Sequence, residues 1–289
     1  MDMTDQFIQT RWRELQEMQR ENERAREQEA DLKAETAYLR MRLADSYLRQ
    51  GKTARAIAEY KRAIKLEKDN GLYHTRLADA YVVAEDIPLA MDVYKRAIVM
   101  APALAEPHSS LGDLYLRYGL LRQALERYRE AVRLEPERAF YQYQLGDLCH
   151  QIGLTQEALA HLDKSVLLAP KMAFYRFRLG TFCQQHGWYE EAYSHLMLVV
   201  GLAPHDDYYF VRLAGLAAIT GRTQETLTAM QKAVALRPHN YAYQRLLAEA
   251  YLLTGHPLEH AQLCRRLGHL HAYDEEFYTR RLAEWTMPH

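Results

Sequence analysis

The apolar positions along this chain follow a pattern that repeats every 34 residues. Each copy contains a leucine followed by a small residue, and the seven leucines are evenly spaced: Leu43, Leu77, Leu111, Leu145, Leu179, Leu213 and Leu247. Within each copy, apolar residues recur at intervals of three and four, which keeps them on one face of an α-helix. Two such stretches occur per copy, so the pattern predicts a series of hairpins, each made of two amphipathic helices.

Small and turn-forming residues mark where the predicted helices approach each other and where they end. Positions are numbered within repeats that start at 37, 71, 105, 139, 173, 207 and 241. Position 8 is always Ala or Gly and position 20 is Ala in repeats 1 to 5, so the helix axes can approach closely there. Position 15 is Gly except for Glu85, and it supplies the left-handed conformation that ends the first helix. Position 32 is Pro in repeats 2 to 6 but Lys68 in repeat 1, whose second helix is therefore expected to run on toward Asn70.

These columns resemble the tetratricopeptide repeat, which combines Leu at position 7, a small residue at 8, Tyr at 11, Gly at 15, Ala at 20, an aromatic residue at 24 and Pro at 32. In this chain, Tyr occupies positions 11 and 24 of repeats 1 to 3. The resemblance covers residues 37–289 and implies an all-α fold, a right-handed α-solenoid (superhelix) of stacked hairpins. It also implies a concave groove, lined by the first helix of each repeat, that binds extended peptides or partner helices.

The two ends of the chain depart from the regular repeats. Near the C-terminus, EFYTRRLAEW at 276–285 aligns with AFYRFRLGTF at 173–182 after one inserted residue. This alignment predicts a capping helix from about 275, the first helix of an eighth repeat that would cover the apolar face of repeat 7.

Residues 1–36 precede the repeats and form a separate predicted domain. They contain no Gly or Pro and carry six basic against ten acidic residues, so they predict a long charged helix. One apolar stripe is present near its start: Ile8, Trp12, Leu15 and Met18. Three roles stay open for this helix. It caps repeat 1 and projects into solvent, forms a short coiled coil that makes a homo-oligomer, or is a partner-bound or disordered tail.

The composition argues against several functional classes. The 289 residues include 37 Lys and Arg against 38 Asp and Glu, so there is no excess of positive charge for a nucleic-acid partner. No apolar run approaches the roughly 18 residues that span a bilayer, and the N-terminus lacks the basic-then-apolar order of a secretory signal. We therefore predict a cytoplasmic protein with no membrane insertion. Three cysteines without a CxxC pair fit reduced thiols in that compartment.

One segment resembles a catalytic motif. HPLEH at 256–260 satisfies H-x-x-E-H, an inverted zinc-protease signature. That motif needs both histidines on one helix, but Pro257 is expected to open a helix and leave His256 in the preceding turn. The sequence has no glycine-rich phosphate loop and no G-x-S-x-G elbow. We therefore predict no enzyme, no metal and no cofactor, with a metal-dependent hydrolase at this segment as a remote alternative.

The resemblance places positions 2, 5, 6, 9, 12 and 13 of each first helix on the concave side. Residues three apart share one helical face, so Arg42 with Asp45 and Arg76 with Asp79 are expected to pair. Such pairs could simply solvate the groove wall. In repeats 5 and 6, position 9 has no acid, so the arginines at position 6 could instead receive carboxylates from a partner.

Aromatic residues concentrate at positions 2 and 5 of repeats 4 to 6, where both core packing and exposure in the groove stay open. The residues predicted to line the partner-binding groove are Phe140, Tyr143, Gln144, Asp147, Phe174, Phe177, Arg178, Tyr208, Arg212, Arg42, Arg76, Asp79 and Asp113. The predicted function is a non-catalytic scaffold, adaptor or assembly factor that binds an extended, partly acidic and apolar segment of another protein. The alternative is a structural module that self-assembles through the N-terminal helix or the solenoid ends.

Overall fold

The computed structural model describes the backbone of residues 3–267, together with the side chains of 18–24, 26–265 and 267. Over that range the chain consists of helices and short turns, as the repeat pattern predicts, and contains no strand. The predicted capping helix from about 275 lies outside the described residues. The chain divides into two compact units, which meet in sequence between Glu135 and Pro136.

The first unit holds repeats 1 to 3. Its helices are α1 (Met3–Arg49), α2 (Thr53–Leu66), α3 (Gly71–Val83), α4 (Ile87–Met100), α5 (Ala105–Arg117) and α6 (Leu121–Leu134). Each helix packs against the next one along the chain, so α1 with α2, α3 with α4 and α5 with α6 form three hairpins. The core between them contains the predicted alanines of positions 8 and 20 and the tyrosines of position 24.

The second unit holds repeats 4 to 7 in the same arrangement. Its helices are α7 (Ala139–Gln151), α8 (Thr155–Leu168), α9 (Ala173–Gln185), α10 (Tyr189–Leu202), α11 (Asp207–Ile219), α12 (Thr223–Leu236), α13 (Tyr241–Leu253) and α14 (Pro257–Leu267). Consecutive helices again pack as hairpins, and each hairpin contacts the following one. Leu162, Leu196 and Met230 replace the position 24 tyrosines and are fully buried.

The turn after each first helix confirms the prediction made for position 15. The six glycines there have φ between 71° and 79°, which is the left-handed region. Glu85, the exception in the sequence, adopts the same conformation with φ of 60°. The hairpin therefore imposes this backbone geometry on whichever residue occupies the position, and in repeat 2 an L-residue accepts the strain.

One helix boundary differs from the sequence-based expectation. The second helix of repeat 1 does not run on toward Asn70: α2 ends at Leu66, the same repeat position at which α4, α6, α8, α10 and α12 end. The Asn70 side chain instead accepts a hydrogen bond of 3.1 Å from the Leu72 amide and caps α3. The next helix begins with its own cap, so the turn forms without a proline.

The N-terminal segment and the first helix of repeat 1 form one continuous helix. The 47 residues of α1 correspond to roughly 70 Å, with no break at residue 36. Leu43, at position 7, is 43% exposed, whereas the other six leucines of that column are at most 7% exposed. Only repeat 1 lacks a preceding hairpin. The described part of the N-terminal segment extends along the axis of α1 and leaves Leu43 partly exposed.

Candidate functional site

An aromatic ladder runs along the first helices of the second unit. Tyr143 on α7 meets Phe174 on α9 with ring centroids 4.9 Å apart and an interplanar angle of 77°. One repeat later, Phe177 meets Tyr208 on α11 at 5.7 Å and 68°. Both contacts join position 5 of one repeat to position 2 of the next, and both are edge-to-face geometries that aromatic pairs prefer. The ladder therefore repeats with the hairpins and links repeats 4, 5 and 6.

The outer rings of this ladder reach solvent. Phe140 is 44% exposed and Phe174 is 42% exposed, while Tyr143, Phe177 and Tyr208 are half-buried. Large aromatic rings with this much exposure offer apolar area that no described part of the chain covers. Among the alternatives left open by the sequence, the position 2 phenylalanines are surface residues and the position 5 rings are packed between neighbouring repeats.

Arginines at position 6 cover the rings of the ladder. The Arg178 guanidinium lies 5.7 Å from the centroid of Tyr143, and that of Arg212 lies 6.0 Å from the centroid of Phe177. Cations placed this way are attracted to the ring face. The result is one recurring group per step, composed of two aromatic rings and one arginine.

The two arginines, which both lack an acid at position 9 of their own repeat, have different polar partners. Arg178 forms an ion pair with Asp147 of the preceding repeat. Burial opposes the charge of Arg178, but the hydrogen bond and attraction from Asp147 raise its pKa above the usual value. Arg212 instead donates a 3.0 Å hydrogen bond to the neutral Oε1 of Gln184. Arg212 is therefore the arginine of this ladder whose guanidinium is bonded to an uncharged side chain.

Gln144 does not line an open surface, contrary to the prediction. Its side chain is buried, whereas the arginines at the same position in repeats 5 and 6 stay partly exposed. Glutamine is shorter than arginine and does not extend past the helix surface at this position.

In the first unit, the same face is occupied by internal hydrogen bonds. The tyrosine at position 24 donates to the aspartate at position 9 of its own repeat over 2.5 Å in all three cases, which are Tyr60 to Asp45, Tyr94 to Asp79 and Tyr128 to Asp113. Each bond joins the second helix of a hairpin to its first. Burial raises the pKa of Asp79, although the bonds from Tyr94 and Arg76 favour its charged form.

Of the two arginine pairs predicted in the first unit, one forms. Arg76 contacts Asp79 at 3.2 Å and also Glu106 of the next repeat at 3.1 Å. Among the described side chains, Arg42 is exposed and forms no ion pair with Asp45, whose carboxylate accepts the Tyr60 hydroxyl. Arg76, Asp79 and Asp113 are thus held by partners within the first unit, while Arg42 faces solvent.

A second set of polar pairs, between positions 4 and 23, was not predicted. Arg40 contacts Glu59 at 3.0 Å, His108 lies 3.4 Å from Arg127, and Gln142 lies 2.7 Å from His161. Each pair is separated by 19 residues. In the sequence, polar residues occupy both position 4 and position 23 of these repeats, and this recurring separation could have predicted the pairs.

The HPLEH segment has the local structure predicted for it. Pro257 begins α14, and His256 lies in the turn before it, with Nδ1 2.9 Å from the Thr254 hydroxyl oxygen. His260 faces the Ala248 carbonyl oxygen at 2.9 Å. Within residues 3–267, no group of three or more His, Cys, Asp or Glu side chains is arranged to hold a metal ion.

The cysteines are free thiols, as predicted. Cys149 and Cys183 are buried and Cys264 is exposed. Burial raises the pKa of Cys183 to about 11, so that thiol stays protonated at neutral pH. Separately, none of the described helices is long and apolar enough to span a bilayer.

Comparison with known proteins places these observations in a family context. A tetratricopeptide repeat model matches residues 41–105 and 110–173. PilF of Pseudomonas aeruginosa has a similar fold, with a TM-score of 0.63 and 20% identity over 75% of this chain and 99% of its own. YrrB, described as a tetratricopeptide protein with an unusual peptide-binding site, has a TM-score of 0.52 and 20% identity over 62% of this chain and 93% of its own.

A third similar structure is a tetratricopeptide repeat protein from Parabacteroides merdae, with a TM-score of 0.58 and 16% identity over 86% of this chain and 99% of its own. At these identities the likeness concerns the fold alone. No curated protein matches the sequence.

Proposed function

Because this chain is a tetratricopeptide-repeat protein, we propose that it is a non-catalytic scaffold or adaptor whose second unit binds an extended segment of a partner protein. Tetratricopeptide repeats are interaction modules, and this chain presents its most distinctive surface along α7, α9 and α11. The observation that carries the proposal is the aromatic and arginine ladder, in which Phe174 keeps much of its ring area exposed, together with the exposed Phe140 at the same position of the preceding repeat. A cytoplasmic location is part of the same proposal.

The chemistry of the ladder favours a partner segment with alternating apolar and acidic side chains. Exposed phenylalanines provide apolar contacts, and aromatic and arginine residues are the types that dominate binding energy at interfaces. Arg212 would receive the acidic side chain, since an arginine bonded to neutral Gln184 can exchange that bond for a stronger one to a carboxylate. Arg178 would act through the ring of Tyr143, because Asp147 already neutralises its charge.

The first unit supports the same assignment by contrast. Its position 9 aspartates are bonded to tyrosines of their own hairpins, so they have less capacity for a new partner. YrrB, described with a peptide-binding site, has a similar fold, but the proposal for this chain is based on its own residues.

A peptide library selected on the full-length protein would test the proposal. The peptides recovered would be titrated against wild type, Phe174→Ala and the control Leu167→Ala, which removes an equally apolar and more exposed side chain from α8. We expect Phe174→Ala to weaken binding by about tenfold or more, and the control to change it by less than about twofold. Equal affinities for the three proteins would place the binding surface elsewhere.

The acidic preference is tested with the same peptides. Replacing each peptide Asp or Glu by Asn or Gln is expected to weaken binding to wild type but not to Arg212→Met. A loss of the same size with both proteins would remove Arg212 from the proposed site.

A further inference from the structure

The N-terminal helix carries an apolar stripe that the repeats do not cover. Every described side chain from Met18 to Glu35 is exposed to solvent. On this surface Met18 is 54%, Leu32 64% and Leu39 59% exposed. Because α1 continues unbroken into repeat 1, the exposed Leu43 of the repeat lies on the same helix. The stripe is therefore longer than the segment before the first repeat.

The stripe has the spacing of a coiled-coil seam. One column recurs every seven residues as Arg11, Met18, Ala25, Leu32 and Leu39, and a second as Ile8, Leu15, Asn22, Glu29, Thr36 and Leu43. The two columns alternate at intervals of three and four, as the d and a positions of a heptad do. The pattern is incomplete when only residues 1–36 are considered, because Leu39 and Leu43 belong to the first repeat.

The seam lies opposite the face that α1 uses for its own hairpin. Ala37, Met41 and Ala44 are buried against the first unit. An α-helix turns about 100° per residue, so Leu39 lies about 160° around the helix from both Ala37 and Met41. A second helix can therefore pack along the seam without displacing α2.

The charges beside the seam are sorted by sign. Between residues 14 and 40, the column preceding a, which is the g column, reads Glu14, Glu21, Gln28 and Glu35, and the e column reads Gln19, Arg26, Lys33 and Arg40; the next g position is Arg42, where the sorting ends. In a parallel pair of helices, g of one chain faces e of the other five residues further on. That arrangement matches Glu21 with Arg26 and Gln28 with Lys33. An antiparallel pair would place g beside g and e beside e, bringing like charges together.

We propose that α1 forms a parallel, in-register two-stranded coiled coil with α1 of a second copy of this chain, which makes the protein a homodimer. A second copy supplies the complementary charges because each chain carries one acidic and one basic flank. Asn22 at an a position supports this register, since a single seam asparagine specifies pairing in parallel two-stranded coils. The partner helix would also cover Leu43, the one position 7 leucine that no hairpin covers.

Several polar residues keep this seam from being a strong one. Arg11 and Glu29 occupy d and a positions, and in the single chain Glu29 pairs with Lys33 at 2.7 Å. Arg40 is already bonded to Glu59, so pairing it with Glu35 of the second copy requires an exchange. The dimer is therefore expected to dissociate on dilution.

Sedimentation equilibrium of the full-length protein tests the assembly. We expect a mass approaching twice 33.8 kDa at high concentration and a dissociation constant that rises at least about tenfold in Leu32→Glu. The matched control is Ala30→Glu, which adds the same charge at an exposed position away from the seam. A monomer at all concentrations, or equal effects of the two variants, would overturn the proposal.

Charge exchange and cross-linking test the orientation. Glu21→Arg should weaken the dimer by about fivefold, and adding Arg26→Glu should restore it. In a Cys264→Ser background, which removes the exposed thiol, Asn22→Cys should form an intermolecular disulfide on mild oxidation because equivalent a positions face each other. A dimer that does not cross-link, or that the second charge change fails to restore, would contradict the parallel register.

Discussion

The two units of this protein use the same repeat positions to make different surfaces. In the first unit, position 24 is tyrosine and position 9 is aspartate, and the two side chains bond to each other within each hairpin. In repeats 4 to 6 of the second unit, position 24 is leucine or methionine. Asp147 is therefore left without such a tyrosine, and it pairs with Arg178 of the next repeat. Asp147 thus accepts from Gln151 of its own repeat and from Arg178 of the next one.

This contrast suggests that the polar contacts of the first unit serve stability, whereas the exposed side chains of the second unit serve the proposed partner recognition. The tyrosine hydroxyls of the first unit donate to the position 9 carboxylates and so join the two helices of each hairpin. In the second unit, the contacts between repeats are aromatic rings and arginines near the surface, where a partner can reach them. The predictions below address this comparison in order of decreasing effect.

Removing one hydroxyl from the first unit should have the largest effect. Tyr94→Phe removes one of the two donors to the half-buried Asp79, the 2.5 Å hydroxyl, and leaves the Arg76 contact, and a hydrogen bond to a charged group contributes about 2 kcal/mol. We expect a lower urea midpoint by that free energy, whereas Tyr118→Phe, which removes an exposed hydroxyl, should have almost no effect. If the two variants unfold alike, the tyrosine and aspartate pairs do not stabilise the first unit.

Introducing the tyrosine into the second unit sharpens the comparison. Leu162→Tyr places a hydroxyl in repeat 4, where Asp147 can accept it and Gly146 leaves the room that Gly112 leaves for Tyr128. Met230→Tyr places the same group in repeat 6, where position 9 is Gly215 and has no acceptor. We expect Met230→Tyr to be more destabilising by about 1 to 2 kcal/mol in urea unfolding. Equal losses would mean that the aspartate at position 9 is not the acceptor that matters.

The sequence predicts this fold well because each column of the repeat has one physical task. Position 15 requires a left-handed residue, position 8 a small one and position 7 an apolar one, and each requirement appears as one residue type spaced 34 apart. The helices, the hairpins and the turns follow directly. The absence of a break at residue 36 could not be predicted this way, because the columns say where a repeat begins and not whether the helix begins with it.

The candidate site was predicted less completely because its contacts join different repeats. Tyr143 with Phe174, Phe177 with Tyr208, and Asp147 with Arg178 are each separated by 31 residues. That separation is set by how neighbouring hairpins pack, which the pattern within one repeat does not contain. Arg178 therefore seemed to lack an acid when only its own helix was considered.

One histidine in each unit should make the stability of that unit depend on pH. Burial lowers the pKa of His108 and of His195, and Arg127 and Arg176 beside them act in the same direction. The unfolded chain therefore binds more protons, so the stabilisation is complete above about pH 6.5 and is lost as pH falls through the lowered pKa. We expect His108→Gln and His195→Gln each to reduce the difference between urea midpoints at pH 7.5 and 5.5.

His205→Gln, which replaces an exposed histidine, controls for the loss of a ring. A midpoint difference that stays the same in both buried-site variants would show that these two histidines do not set the pH dependence.

The smallest predicted effect concerns the one repeat whose turn departs from the rest. Glu85 holds φ at 60° where the other repeats have glycine, and this conformation costs an L-residue about 1 kcal/mol. Glu85→Gly should therefore raise the urea midpoint of the first unit by about that free energy, even though glycine adds no contact. Glu85→Ala removes the same carboxylate but keeps a β-carbon, so it should give almost none of the gain. Equal gains from the two substitutions would instead assign the effect to the carboxylate and leave the backbone of repeat 2 no more strained than that of its neighbours.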